Sequence, residues 1–172
     1  MHRAGQLYTS TDSGLSWTLR DSNRPWISVA SSTDGIKLVA VAAAGQIYTS
    51  TDAGVNWTPR DSNRTWRCVA SSIDGTKLVA VVNGGQIYTS TDGGLSWAQR
   101  EGNRSWTSVA SSADGSRLVA PVLSDQIYTS TNDTTVGTAG FLSGGRSTAI
   151  ELQYIGNGQF LALSHEGTFT AQ

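Results

Sequence analysis

One cysteine, Cys68, stands alone among 172 residues. That excludes an internal disulfide framework and a multi-thiolate zinc site, and it leaves a small buried strand residue as the reading of the thiol. Charge is scarce as well: Asp, Glu, Lys and Arg make up 15% of the chain and the net charge is −1. A chain this close to neutrality gives no electrostatic reason to bind nucleic acid or an anionic membrane. No apolar run has the length of a membrane span, and the opening "MHRAGQLYTS" lacks the apolar stretch of a signal peptide. The expectation is a soluble chain with no nucleic-acid or membrane partner, no metal and no cofactor, in a compartment the sequence leaves unknown. Helical periodicity is missing throughout. What is present, 38% hydrophobic residues with six Trp and nineteen Gly, suits a turn-rich β protein large enough for one real core.

The chain repeats itself. Trp26, Trp66 and Trp106 are forty residues apart, and Tyr8, Tyr48, Tyr88 and Tyr128 keep the same spacing. From Trp66 the unit reads "WRCVASS", "IDGTKLVAVV", "NGGQIYTSTD", "GGLSWAQR". "RCVAS" and "KLVAVV" are short aliphatic runs bounded by Asp-Gly and Gly-Gly pairs, "QIYTST" alternates like a half-buried strand, and "SWAQR" follows the "TDGG" turn. Four short strands in about forty residues is the arithmetic of a β-propeller blade. We therefore expect an all-β propeller forming a single domain over 1–172, with four-stranded blades at about 26–60, 66–100 and 106–142. The tail "STAIELQYIGNGQFLALSHEGTFTAQ" reads as three further strands. A composite closing blade of 147–172 with 1–20 would hide the edge strands of a ring. That makes about four blade-equivalents per chain, with one surplus copy of the third-strand pattern. A monomeric ring is favoured, and a dimeric eight-bladed ring is the alternative.

The phrase S-x-D-x-G-x-x-W occurs as "STDSGLSW" (10–17), "STDAGVNW" (50–57) and "STDGGLSW" (90–97), with a degenerate "STNDTTVG" from Ser130. It resembles the Asp-box of bacterial-neuraminidase-type (BNR) repeats. Sialidases, xyloglucan-type glucanases, sortilin-like receptors and photosystem II assembly factors are built on such repeats. The resemblance implies a hairpin turn between third and fourth strands. Asp12, Asp52 and Asp92 would accept N–H groups of the turn, Gly14, Gly54 and Gly94 would take positive φ, and Trp17, Trp57 and Trp97 would cover the hairpin. It also implies that the fourth-to-first and second-to-third loops share the opposite face, where a ligand would bind.

On that face the fourth-to-first loops read "RDSNRPW", "RDSNRTW" and "REGNRSW". Asn23, Arg24 and Trp26 recur as Asn63, Arg64 and Trp66 and again as Asn103, Arg104 and Trp106. Fixed donors beside an aromatic face are the groups that bind sugar hydroxyls or carboxylates. The plain alternative is scaffold: Asn capping the loop, Arg pairing with the nearby Asp, and Trp filling the space between blades. His165 and Glu166 read as a solvated turn. Acid–base hydrolysis needs two carboxyls in different environments, which identical repeated residues do not provide, and no Arg-Ile-Pro segment or Tyr–Glu pair supports the sialidase likeness. The expectation is a non-enzymatic binding or scaffold module with no catalytic residues, presenting a repeated loop face to a protein partner. A lectin-like glycan-binding propeller with repeated Asn-Arg-x-Trp sites is the alternative, and a sialidase-like glycosidase is a third reading.

Overall fold

In the computed structural model the structure describes residues 4–131, 142–143, 149–156, 159–166 and 170–171, with backbone alone from Thr131 onward. The degenerate "STNDTTVG" segment and the end of the third repeat lie largely outside the described residues. Two compact units divide the chain, Met1–Thr131 and Asn132–Gln172. All regular structure among the described residues is β. The first unit holds β1 (Gly5–Thr9), β2 (Thr18–Arg24), β3 (Trp26–Ser31), β4 (Leu38–Ser50), β5 (Thr58–Ser71), β6 (Leu78–Ser90), β7 (Ala98–Ser105), β8 (Ala110–Ser111), β9 (Arg117–Pro121) and β10 (Ile127–Thr131). Every pairing is antiparallel.

The order β3-β4-β5-β6-β7 conceals a tighter meander. In an extended strand residues three apart are about 10 Å apart, yet a Cβ added at Gly45 would stand 2.9 Å from the Ala42 Cβ. With Ala44 at φ +55°, β4 therefore doubles back on itself between 42 and 45. β6 does the same: Gly84 has φ +70°, and a Cβ at Gly85 would stand 2.6 Å from Val82 Cγ1. In the third repeat the two arms are separate strands, β9 and β10, paired from Ile127↔Pro121 to Thr131↔Arg117. Long β5 bends instead, at Asp61 (φ +50°), so that its first half pairs with β4 and its second half with β6. Each repeat is thus a meander of short antiparallel strands, and the 66–71 and 78–82 arms form its first hairpin.

The core lies between repeats. Val39, Val41 and Ile47 of the first repeat pack with Trp66, Val69, Leu78, Ala80, Val82 and Tyr88 of the second. One step on, Val79, Val81 and Ile87 pack with Trp106, Val109 and Ala120. Strand alternation explains this, because successive side chains face opposite neighbours and both faces of each repeat are apolar. Polar ties recur in register: Lys37 Nζ donates to the Asp74 carbonyl at 3.0 Å and Lys77 Nζ to the Asp114 carbonyl at 2.9 Å. Val69 N donates to Ser28 Oγ at 3.2 Å. Cys68, half-buried rather than fully buried, sits with its sulfur 3.7 Å from both Ser28 Oγ and Ser108 Oγ.

The second unit holds β11 (Leu142–Ser143), β12 (Ala149–Gly156), β13 (Gln159–Glu166) and β14 (Thr170–Ala171). β12 and β13 form a hairpin from Ala149↔Glu166 to Gly156↔Gln159, and β11 pairs with β14.

Candidate functional site

Hydrogen bonds sort the turns of each repeat into two groups. Ala53 N donates to the Ile36 carbonyl and Gly93 N to the Thr76 carbonyl, which joins third-to-fourth turns to first-to-second turns. Gln46 Nε2 donates to the Asp61 carbonyl at 2.9 Å, joining a second-to-third turn to a fourth-to-first passage.

In the first group, the S-x-D-x-G-x-x-W turns are closed by their own side chains. Ser50 Oγ accepts from Gly54 N at 2.9 Å, Asp52 Oδ1 accepts from Asn56 N at 2.9 Å, and Trp57 Nε1 donates to the Gly54 carbonyl at 3.0 Å. The turns at Asp12 and Asp92 repeat these bonds. Gly14, Gly54 and Gly94 have φ of +88°, +84° and +87°. The bonds favour the ionised carboxylate. Donation from the Ser16 hydroxyl and amide holds Asp12 down at about 2, and donation from the Asn56 amide N–H and side chain does the same for Asp52. Asp92 is also lowered, first by the Ser96 hydroxyl, and Asp74 first by the Ser72 hydroxyl. These carboxylates are held ionised, which suits a turn and not a proton donor. An open cleft of about 160 Å³ between the first two repeats is lined by Lys37, Thr49, Arg60, Thr76 and Asp92. Its polar groups are largely engaged within the fold, as in Arg60 Nε to Thr49 Oγ1 at 3.0 Å and Thr76 Oγ1 to Asp74 Oδ2 at 2.7 Å.

The second group carries the arginines. After the bend at Asp61 the chain brings Arg64 back over its own repeat, with Nε 3.4 Å from Asp61 Oδ2 and the guanidinium carbon 4.4 Å from the Tyr88 ring centre. Tyr88 in turn stands edge-on to Trp66, with centroids 5.3 Å apart at 73°. The same stack recurs. Arg24 lies 4.5 Å from the Tyr48 ring and donates from Nη1 to the Tyr48 hydroxyl at 2.9 Å, and its Nε faces Asp21 at 3.5 Å. Arg104 lies 4.7 Å from the Tyr128 ring, with Glu101 (φ +53°) where the other loops have Asp. Cation–π stacking orients all three planar forks, and an ion pair adds to it at Arg24 and Arg64. The side chains of Arg24 and Arg64 remain 38% and 33% exposed, although Arg24 Nε itself is buried.

The other singled-out residues divide by burial. Asn23, Asn63 and Asn103 are exposed. Trp66 and Trp106 are 1% and 0% exposed, so their faces pack against protein and are closed to a sugar ring. The indole N–H groups of Trp26, Trp66 and Trp106 are buried without a protein acceptor. Sequence reasoning assigned the tyrosines to strand rhythm alone, yet they are what the arginines rest on. Their signal was there: Arg, Trp and Tyr run in phase at forty residues. Among the described residues no group of three or more His, Cys, Asp or Glu could hold a metal ion, and no helix is long and apolar enough to cross a membrane.

Solved structures resemble the chain in fold. The fold is that of the β-propellers. A GH74 enzyme from Niastella koreensis is 26% identical with a TM-score of 0.51, over 62% of this chain and 16% of that one. An ancestral GH74 enzyme is 17% identical with a TM-score of 0.56, over 97% and 30%. YCF48 bound to D1 peptide is 20% identical with a TM-score of 0.51, over 75% and 49%. The chain therefore spans less than half the length of these proteins. No protein-family model matches the chain, and no curated protein does. The expectation that the chain is not an enzyme is overturned here. GH74 enzymes use this architecture, so a repeated scaffold does not by itself argue against catalysis.

Proposed function

We propose that the chain is a recognition module that grips a protein segment through the arginines of its fourth-to-first loops. The observation carrying this reading is the threefold stack of Arg24, Arg64 and Arg104 on Tyr48, Tyr88 and Tyr128. Pre-oriented guanidinium forks lose little freedom on binding and match carboxylates in geometry and charge. Asn23, Asn63 and Asn103 stand beside them as exposed amides. The favoured partner is a peptide carrying acidic side chains or a free C-terminus, bound at several equivalent points at once. The S-x-D-x-G-x-x-W turns are read as Asp-boxes that serve the scaffold. A propeller of the same type, YCF48, is known bound to a peptide, which supports the protein-binding reading.

The GH74 neighbours favour a second reading, in which the same loops take a glycan. Titration of an acidic peptide library by calorimetry, beside a set of β-glucan oligosaccharides, separates the two. On the first reading each single Arg→Ala change weakens peptide binding stepwise. Arg64→Lys also weakens it, because the charge stays while the fork is lost. Loss of all binding with one variant and none with the other two would defeat the repeated-site reading. Oligosaccharide binding without peptide binding would establish the glycan reading instead, and a screen for released reducing ends would detect hydrolysis.

A further inference from the structure

The three loop arginines stack alike but differ in what else they hold. Arg64 donates from Nε to Asp61 Oδ2 at 3.4 Å and from Nη2 to Asp61 Oδ1 at 3.5 Å. Arg24 donates from Nη1 to the Tyr48 hydroxyl at 2.9 Å, and its Nε faces Asp21 at 3.5 Å. Arg104 has no ion pair among the described residues, and its Nε is buried without a partner. Its contact there is the Tyr128 ring, 4.7 Å away. The backbone is not the cause of this difference. Asp61 and Glu101 have φ of +50° and +53°, and Arg64 and Arg104 pair with Gly45 and Gly85 in the same register. The side chains are. Ser62 N–H donates to Asp61 Oδ1 at 2.7 Å and the Ser62 hydroxyl lies 3.4 Å from the same oxygen, which pins that carboxylate beside Arg64. In the third loop the longer Glu101 is exposed and is followed by Gly102, which has no hydroxyl to offer.

We infer that Arg104 is the principal anchor of the loop face, the arginine that takes a carboxylate of the bound segment most strongly, because its loop supplies no counter-charge of its own. The inference rests on the peptide-binding reading above and adds an order among the three sites. A half-buried guanidinium without a counter-charge gains most from an incoming carboxylate. At Arg64 the same carboxylate meets an arginine already paired, and it approaches the like charge of Asp61. Arg24 is in the same position beside Asp21. Contributions from the three loops are therefore unequal, with Arg104 the largest. Arg→Ala variants do not read this order cleanly, since removing Arg64 also bares the Asp61 carboxylate to the ligand.

The test changes the acids instead, in the full chain, with calorimetric titration of the tightest-binding member of the acidic peptide library. Glu101→Asp with Gly102→Ser gives the third loop the acid and hydroxyl of the second. Asp61 already adopts that φ, and a Cβ on Gly102 meets nothing within 4 Å. Net charge is unchanged, so a loss reports where the acid sits. Binding should weaken by about two- to fivefold, the scale of a partly exposed ion pair. Asp61→Asn keeps an oxygen for the Ser62 N–H but removes the charge beside Arg64, and binding should tighten by a similar factor. Opposite directions cannot come from a general loss of stability. If the peptide binds the parent and either variant matches the parent or moves the other way, the order among the sites is overturned while the peptide-binding reading stands. If no acidic peptide binds the parent, both fall.

Discussion

Trp66 joins the core and the loop stack at one residue. Its ring is 1% exposed, touches Tyr88 edge-on, and belongs to the core shared by two repeats. Truncation to Ala removes that contact and leaves a cavity that neighbouring strands cannot collapse into, so Trp66→Ala should cost about 3–5 kcal/mol. Trp17 instead closes its own turn, donating from Nε1 to the Gly14 carbonyl at 3.1 Å, but is 63% exposed, so Trp17→Ala should cost less than about 1 kcal/mol. Urea unfolding of the two variants checks the contrast, and equal losses would contradict it. The residue scale also explains what could be read beforehand and what could not. Asp52 bonds to an amide four residues away. Arg64 rests on a ring twenty-four positions away, and that partner depends on the fold of β6.

At the scale of the turn and its hairpin, glycine and aspartate carry the argument. A Cβ on Gly94 would stand 2.8 Å from Thr49 Cγ2 and 3.2 Å from Leu78 Cδ1, while one on Gly14 would meet only the Trp17 ring at 3.8 Å. Both have φ near +88°, so both substitutions by Ala carry backbone strain of about 1 kcal/mol. Gly94→Ala adds a clash in the joint between repeats, and it should be destabilising by about 2 kcal/mol more than Gly14→Ala. Equal effects in thermal unfolding would show that the joint yields easily. The aspartates predict a pH response. Their folded-state pKa values lie below the ordinary carboxylate value, at about 2 for Asp12 and Asp52. Their contribution is therefore complete above about pH 4 and is lost as pH falls through 4 towards 2. Melting temperature should decline across that window, and Asp52→Asn should make the decline shallower. A slope identical to that of the parent would argue against the turn carboxylates as its source.

For the whole molecule, stability rests on stacking. Each repeat buries its faces only against its neighbours, as in other repeat proteins, so terminal pieces decide whether the array holds. Thr9 Cγ2 lies where a Cβ of Gly54 would stand, at 2.8 Å, and Leu7 is buried. Deleting residues 1–20 uncovers the outer face of the first full repeat and should lower the melting temperature and promote aggregation, read by light scattering on heating. A deletion as stable and soluble as the parent would show that the N-terminal hairpin is dispensable. By itself, the amino-acid sequence determined the period of forty, the short strands and the turn chemistry, because each depends on residues within a few positions of one another. It could not show that β4 and β6 fold back while β5 bends. Nor could it show that Trp66 and Trp106 face inward while Arg64 remains partly exposed. Those outcomes follow from packing between repeats forty residues apart, where the partner of a side chain is chosen by the neighbouring sheet. Whether such a scaffold hosts catalysis was likewise beyond the repeats, since chemistry on a propeller is set by the loops that the scaffold brings together.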